Sequence, residues 1–273
     1  MKDNFRYLMI TNDPYVAAEL DYYGVHRIFI DLEINGKQER QGHLNTVISH
    51  HSFDDISKVK QALTNSELLV RINPYHNESQ TEIDEVIARG ADIIMLPMFR
   101  TMSEVIEVGK LISGRAKLIP LVETVAATNL LKELDESQYV DEIHIGLNDL
   151  HLELGLSFMF ELLENGYLES RLLGVKKPFG IGGIARATSG DVDGYHVMAE
   201  HIRLGSQGVI LSRAFHQEIS REESGCLSMV SFQEEFSKLK AVRKELLECC
   251  ANRIEELHSQ FCHKVQNIKL KER

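Results

Sequence analysis

The sequence lacks most of the features that would place it in a membrane or outside the cell. Met1 to Asn12 carries no long apolar run behind a positive flank, so no signal peptide is expected. No stretch approaches the ~18 consecutive apolar residues of a membrane span. Basic residues are outnumbered, 30 Lys and Arg against 41 Asp and Glu, for a formal charge of −11. That balance argues against nucleic acid or an anionic bilayer as the main partner, although a local basic pocket remains compatible with it. The cysteines Cys226, Cys249, Cys250 and Cys262 all fall late in the chain and show no CxxC spacing. They read as reduced thiols of a cytoplasmic protein, most of them on a helix. There is no P-loop, no Gly-rich dinucleotide turn and no Ser-centred nucleophile elbow.

What is present is a regular alternation. Apolar runs at Arg6–Thr11, Arg27–Glu33, Leu68–Asn73, Ala91–Pro97, Ala116–Thr124, Glu142–Leu150, Pro178–Ala185 and Gly208–Ser212 read as eight strands. The sixth is expected to end in a polar tip that carries Asp149. Helical patterns separate the strands. Asp13-Pro14 starts one, with the proline at its first helical position. Asp54-Asp55 opens another, Thr81 to Arg89 forms a third, and Ser103 caps a fourth. A longer helical region is expected from Asp149 to about Leu173. The strands are continuously apolar, as expected for parallel strands covered on both faces. Eight such units predict an α/β fold, a (β/α)8 TIM barrel. A doubly wound open sheet is the alternative, but Thr11-Asn12-Asp13-Pro14 is not the glycine-rich turn it would need.

The division expected is a catalytic barrel over residues 1–225 and a helical extension over 226–273. From Phe232 to Lys271 the apolar positions Leu239, Val242, Leu246, Cys250, Ile254, Leu257, Phe261, Val265 and Ile268 follow three/four spacing. One long helix or two shorter ones would fit. They either pack across the barrel bottom or form a subunit interface.

Barrel sites lie at the C-terminal ends of strands. The polar residues there are Asp31 and Glu33, Arg71 and Asn73, Glu123 and Thr124, Asn148 and Asp149, Arg186, Ser212 and Arg213. Each alone is explained by solvation or by an ion pair, such as Arg71 with Asp31 or Glu33. Together, acids from several strands around an arginine favour a metal-plus-anion site, because unpaired buried charge is costly. Neighbouring parallel strands lie ~4.8 Å apart. Glu123 and Asp149, at matching ends of the fifth and sixth strands, can therefore reach one hard cation.

Four fragments on these strands come in a fixed order: Val70-Arg71-Ile72-Asn73, Gly90-Ala91-Asp92-Ile93-Ile94-Met95-Leu96-Pro97-Met98, Val122-Glu123-Thr124, and Gly146-Leu147-Asn148-Asp149-Leu150 with Leu154-Gly155. In this order and spacing they resemble the HpcH/HpaI aldolase and citrate lyase beta-subunit family of the phosphoenolpyruvate/pyruvate-binding barrels, over Ile28 to Ala185. The resemblance implies a divalent cation, Mg²⁺ or Mn²⁺, held by Glu123 and Asp149. It implies that Arg71 binds the oxygen of a pyruvate-like enolate. A 2-oxo acid chelates such a metal through carboxylate and keto oxygens, and the metal stabilises the enolate as a C–C bond breaks or forms. Arg71, Asn73, Glu33 and the main-chain N–H groups around Gly183 and Ala185 are the substrate-binding candidates. Tight strand–helix packing is an equal explanation for Gly180, Gly182 and Gly183.

The chain departs from that pattern after its second strand. The aldolase branch carries an acid–histidine pair there, and the lyase branch an Asp-Leu-Glu-Asp run. Here the residues are Asp31-Leu32-Glu33-Ile34-Asn35, while Met98 follows Pro97 as in aldolases. His43 and His50, in the polar segment from Asn35 to Ser52, are candidates for the general base or are exposed bystanders. A zinc site at His50-His51 is disfavoured, since adjacent residues rarely aim at one metal. Lys37 and Arg40 suit an anionic substrate tail or a solvated loop.

The expectation is a divalent-metal-dependent carbon–carbon lyase or aldolase, acting through a metal-stabilised enolate of a 2-oxo acid or acyl-CoA ester. It would be a homo-oligomer through its C-terminal helix, with no nucleic-acid or membrane partner. Phosphoenolpyruvate-type phosphoryl or C–P chemistry is one alternative. A non-catalytic barrel that binds a carboxylate or a partner protein is another.

Overall fold

The computed structural model describes residues 4–34, 51–221 and 226–271. Its main sheet contains β1 (Arg6–Ile10), β2 (Arg27–Asp31), β3 (Glu67–Arg71), β4 (Ile93–Leu96), β5 (Lys117–Val122), β6 (Ile143–Ile145), β7 (Phe179–Ile181), β8 (Gly183–Ile184) and β9 (Gly208–Leu211). The order is β7-β6-β5-β4-β3-β2-β1-β9-β8. β7 pairs with β6 and β8 pairs with β9, both in parallel, and only Gly182 separates β7 from β8. The circuit is therefore that of a (β/α)8 barrel whose seventh strand is broken in two. The continuous strand expected over Pro178–Ala185 is corrected here. Gly182 has φ +44°, and a Cβ at that position would fall 2.6 Å from Leu147 Cδ1, so the turn requires glycine.

The period of two along each strand decides what faces the barrel axis. Leu8, Phe29, Leu69, Ile93, Met95, Ile119 and Leu121 form one buried cluster inside the barrel. Tyr7, Met9, Ile28, Ile30, Val70, Ile94 and Leu96 belong to the larger cluster under the helices. Both faces are apolar, which is why the strands read as unbroken runs. The interior parity also carries polar residues at both ends. At the N-terminal end Arg27 donates to Glu67 at 2.9 Å and to both oxygens of Glu142 at 2.7 and 2.8 Å. Lys117 joins Glu67, and Arg6 joins Glu142. This ion-paired group forms the barrel floor.

Helix starts follow local capping chemistry. Ser52 and Asp55 form a capping box for the helix Phe53–Ala62, and Thr101 with Glu104 does the same for Met102–Ile112. The long helix expected from Asp149 to Leu173 is instead three short ones, Leu147–Glu153, Glu161–Glu164 and Tyr167–Leu172. The Glu161 carboxylate accepts from the N–H groups of Ser157 and Phe158, which closes a turn where the long helix would have continued. Asp149 therefore lies in the first turn of a helix that starts after Gly146, not on a strand tip.

The tail forms two helices, Val230–Leu247 and Ala251–Lys271. Phe236 of the first packs on Tyr7 of β1, with ring centroids 5.0 Å apart. The second lies along the helix Gly194–Leu204, not across the barrel bottom. His258 meets Glu200 at 2.9 Å, Lys264 meets Asp193 at 3.0 Å, and Lys269 reaches Glu161 at 2.8 Å. The bottom offers ion-paired charge, whereas the flank offers apolar partners such as Phe160 for Phe261. Of the four cysteines only Cys262 lies in a helix, because the chain turns between the two helices at Cys249-Cys250. None of the four forms a disulfide among the described residues. Among the described residues no helix is long and apolar enough to cross a membrane.

Burial keeps His201 neutral. It pushes the imidazole down to about 3, helped by the charge of Arg243 and, once protonated, by that of His144. Nδ1 of His201 lies 2.8 Å from Ser206 Oγ. In the unfolded chain a histidine titrates near 6.5. This group's stabilisation is thus complete above about pH 6.5 and is lost as pH falls toward its folded value. Between pH 7 and 5 the loss is about 2 kcal/mol. Urea unfolding of His201→Asn at the two pH values should show a pH dependence smaller by that amount than the wild type's.

Candidate active site

The inward parity that places Phe29 and Leu69 in the barrel continues to Asp31 and Arg71, which are direct register partners across β2 and β3. The same parity on β5 carries from Leu121 to Glu123. Arg71 Nε and one terminal nitrogen donate to the two carboxylate oxygens of Asp31 at 2.9 and 2.8 Å. That terminal nitrogen also lies 3.4 Å from Glu33. Below it, the guanidinium carbon stands 5.6 Å from the Phe29 ring centre, a cation–π contact that orients the plane. Burial works against the charge on Arg71, but Asp31, Glu33 and Glu123 outweigh it and hold the guanidinium charged.

Glu123 has the opposite balance. It is buried, and burial raises its carboxyl first. Glu33 and Asp149 raise it further, while Arg71 and the Met98 N–H pull it down, and the result is about 8. Met98 N–H donates to Glu123 Oε1 at 3.1 Å. Met98 reaches that position with φ +53°, in the left-handed region a non-glycine residue rarely occupies. Gly146 makes room on the other side: a Cβ there would lie 2.8 Å from Glu123 Cβ and 3.0 Å from Oε2. Asp149 is also buried. Asp31, Glu33 and Glu123 thus act on one guanidinium, and Asp149 acts on Glu123.

Other strand-end polar residues have structural partners. Asn73 accepts from Ile34 N–H at 2.9 Å and donates to Glu82 at 2.8 Å, tying the end of β3 to both the exit of β2 and the helix Ser79–Ala88. Thr124 donates to the Phe99 carbonyl and caps the helix Val125–Thr128. Arg186 pairs with Glu218, Ser212 caps Arg213–His216, and Asn148 is exposed. Gly183 and Ala185 stand at the upper end of the broken strand. His43, His50, Lys37 and Arg40 lie outside the described residues. His51 uses Nδ1 to accept the Asp31 N–H at 3.0 Å.

Sequence reading did not reach the Met98 N–H, the clearance at Gly146 or the contact of His51 with Asp31. The first depends on a backbone conformation, and the other two on distances between segments. Only the Pro97-Met98 step and the glycine that ends β6 hinted at them.

Among the described residues no group of three or more His, Cys, Asp or Glu has the geometry to hold a metal. The two neighbouring carboxylates Glu123 and Asp149 do suit a hard cation that takes one or two protein carboxylates and completes its shell with substrate and water. Burial, and after it the like charges of Glu33 and Asp149, raise Glu123, and such a cation would offset both. A cavity of about 10 Å³ is lined by Arg6, Arg27, His144 and Gly180. It has room for about one water.

The fold is a parallel α/β barrel with an acid–arginine cluster at the C-terminal ends of its strands. The HpcH/HpaI aldolase/citrate lyase family matches residues 7–214, and the chain belongs to that family. No curated protein matches it. Among solved structures it is similar to an HpcH/HpaI aldolase from Desulfitobacterium hafniense DCB-2, with 15% identity, TM-score 0.56, and coverage of 78% of this chain and 89% of that one. It is similar to an HpcH/HpaI aldolase/citrate lyase family protein from Burkholderia cenocepacia J2315, with 16% identity, TM-score 0.60, and coverage of 90% and 95%. A citrate synthase variant, SbnG, has 15% identity and TM-score 0.52, with coverage of 76% and 85%. At these identities the likeness shows a shared fold.

Gly146→Ala should force Glu123 aside and cost about 1–3 kcal/mol by overpacking. Chemical denaturation checks the cost, and a crystal structure of the variant should show the Glu123 carboxylate displaced.

Proposed function

We propose that the chain is a divalent-metal-dependent carbon–carbon lyase or aldolase whose substrate is a 2-oxo acid or an acyl-CoA ester. The observation that carries this reading is the buried pair Glu123 and Asp149 beside Arg71, in a family of aldolases and citrate lyases. Glu123 and Asp149 would hold Mg²⁺ or Mn²⁺. Bound there, the cation supplies Lewis-acid polarisation of the substrate carbonyl. Arg71, held in place by Asp31 and by the Phe29 face, offers fixed positive charge to the oxygen that becomes negative as the C–C bond breaks or forms. Its orientation is set before substrate arrives, so no reorganisation is needed at the reacting moment. Asp31 and Glu33 keep Arg71 from turning toward Glu123. The N–H groups around Gly183 and Ala185 are assigned to the substrate carboxylate, and proton transfer is assigned from the sequence alone to His43 or His50.

Two measurements test this reading. Glu123→Gln with Asp149→Asn should abolish Mg²⁺ binding in calorimetry while circular dichroism stays that of the wild type. Unchanged affinity would refute the metal assignment. Glu123, pushed up to about 8, is mostly protonated at pH 7 without a cation. It should release about one proton on binding Mg²⁺ at that pH and almost none above about pH 9. Calorimetry in buffers of different ionisation enthalpy counts that proton. Assays of 4-hydroxy-2-oxo acids and 3-hydroxyacyl-CoA esters, with and without EDTA, then separate the two substrate classes.

A further inference from the structure

His144 is a buried imidazole in the barrel interior that the chemistry above does not use. Its strand register sets it beside Leu121 on β5 and Gly180 on β7. The apolar residues Leu8, Met95 and Ile119 line the same small cavity. A leucine would fill such a place without the cost of desolvating a ring with two polar nitrogens. An imidazole here calls for a bond that requires it.

The structure supplies that bond. A Cβ on Gly180 would fall 2.5 Å from His144 Nδ1, so the ring lies across the bare backbone of Gly180. From there Nε2 reaches the Gly182 carbonyl oxygen at 3.4 Å. Gly182 is the residue at which the seventh strand breaks. Its N–H donates to the Ile145 carbonyl at 2.7 Å, and its carbonyl also accepts from Ile210 N–H at 3.2 Å. The break is thus held from β6, from β9 and from the His144 ring. Burial pushes the imidazole down to about 4, so it is neutral at physiological pH. A carbonyl can only accept, which leaves the proton of the neutral ring on Nε2.

We propose that His144 is a positioning residue: as the Nε2–H tautomer it clamps the Gly182 carbonyl and so sets the direction of the backbone from Gly183 to Ala185. The inference rests on the assignment of that backbone to the substrate carboxylate. The consequence is that a residue with no access to substrate controls how tightly the carboxylate end is held, while leaving the cation site untouched.

The tautomer is read first on the wild-type chain. Long-range ¹⁵N–¹H NMR correlations at pH 7 should show His144 protonated at Nε2, and an Nδ1–H pattern would overturn the clamp. The second measurement is pyruvate affinity in the presence of Mg²⁺ for His144→Leu and His144→Gln. The leucine variant should lose about 5- to 10-fold, the worth of one hydrogen bond, with Mg²⁺ affinity and melting temperature unchanged. Glutamine, which keeps a donor, should return to within about twofold of the wild type. A leucine variant that binds pyruvate like the wild type would show that the ring only fills space. Should the wild type bind no pyruvate with Mg²⁺, the proposed function falls. The clamp would then be judged by its tautomer and by amide exchange at Gly182 and Gly183, which His144→Leu should accelerate.

Discussion

The Arg71 guanidinium, held charged by Asp31, Glu33 and Glu123, is the group around which the upper barrel is built. Arg71 gives two nitrogens to Asp31, and one of them also approaches Glu33. Glu123 is buried and feels the like charges of Glu33 and Asp149. A buried carboxylate in that position either takes up a proton or holds a cation. The surrounding details serve the same carboxylate. Phe29 fixes the guanidinium from below, Met98 gives Glu123 one N–H, and the missing side chain at Gly146 leaves space beside Glu123.

The floor of the same barrel makes the contrast plain. There Arg6, Arg27 and Lys117 meet Glu67 and Glu142. Burial works to raise Glu142, but the bonds and charge of Arg27 more than offset it and leave the carboxyl below its ordinary value. At the mouth, burial and like charge push Glu123 the other way. Ion pairing closes one end as structure, and the raised carboxyl of Glu123 marks the other end as the candidate for chemistry.

Much of this was legible in the chain. Eight apolar runs separated by helical patterns indicated the closed barrel, because strands covered on both faces leave no polar alternation. Their charged ends pointed to Asp31, Glu33, Arg71, Glu123 and Asp149, since carboxylates that terminate apolar strands must meet something. The ion pair of Arg71 with Asp31 was one of the two readings open for those residues, and it is present alongside the cluster. What could not be read depends on contacts distant in sequence. The break at Gly182 follows from the approach of Leu147, and the three short helices after Asp149 follow from one carboxylate folding back on Ser157 and Phe158. The path of the last helix follows from which flank offers Phe160 and Glu200. No local pattern encodes these choices.

The broken strand also has a mechanical meaning. A closed barrel is a hoop, and its strength is set by its thinnest joint. β2 and β3 share five paired positions, whereas β5 and β6 share two, β6 and β7 three, and β8 and β9 two. Local opening begins where the fewest bonds must be given up. In this hoop the short joints follow one another from β5 to β9, the arc that contains Gly182. The barrel therefore yields first along that arc and last between β2 and β3.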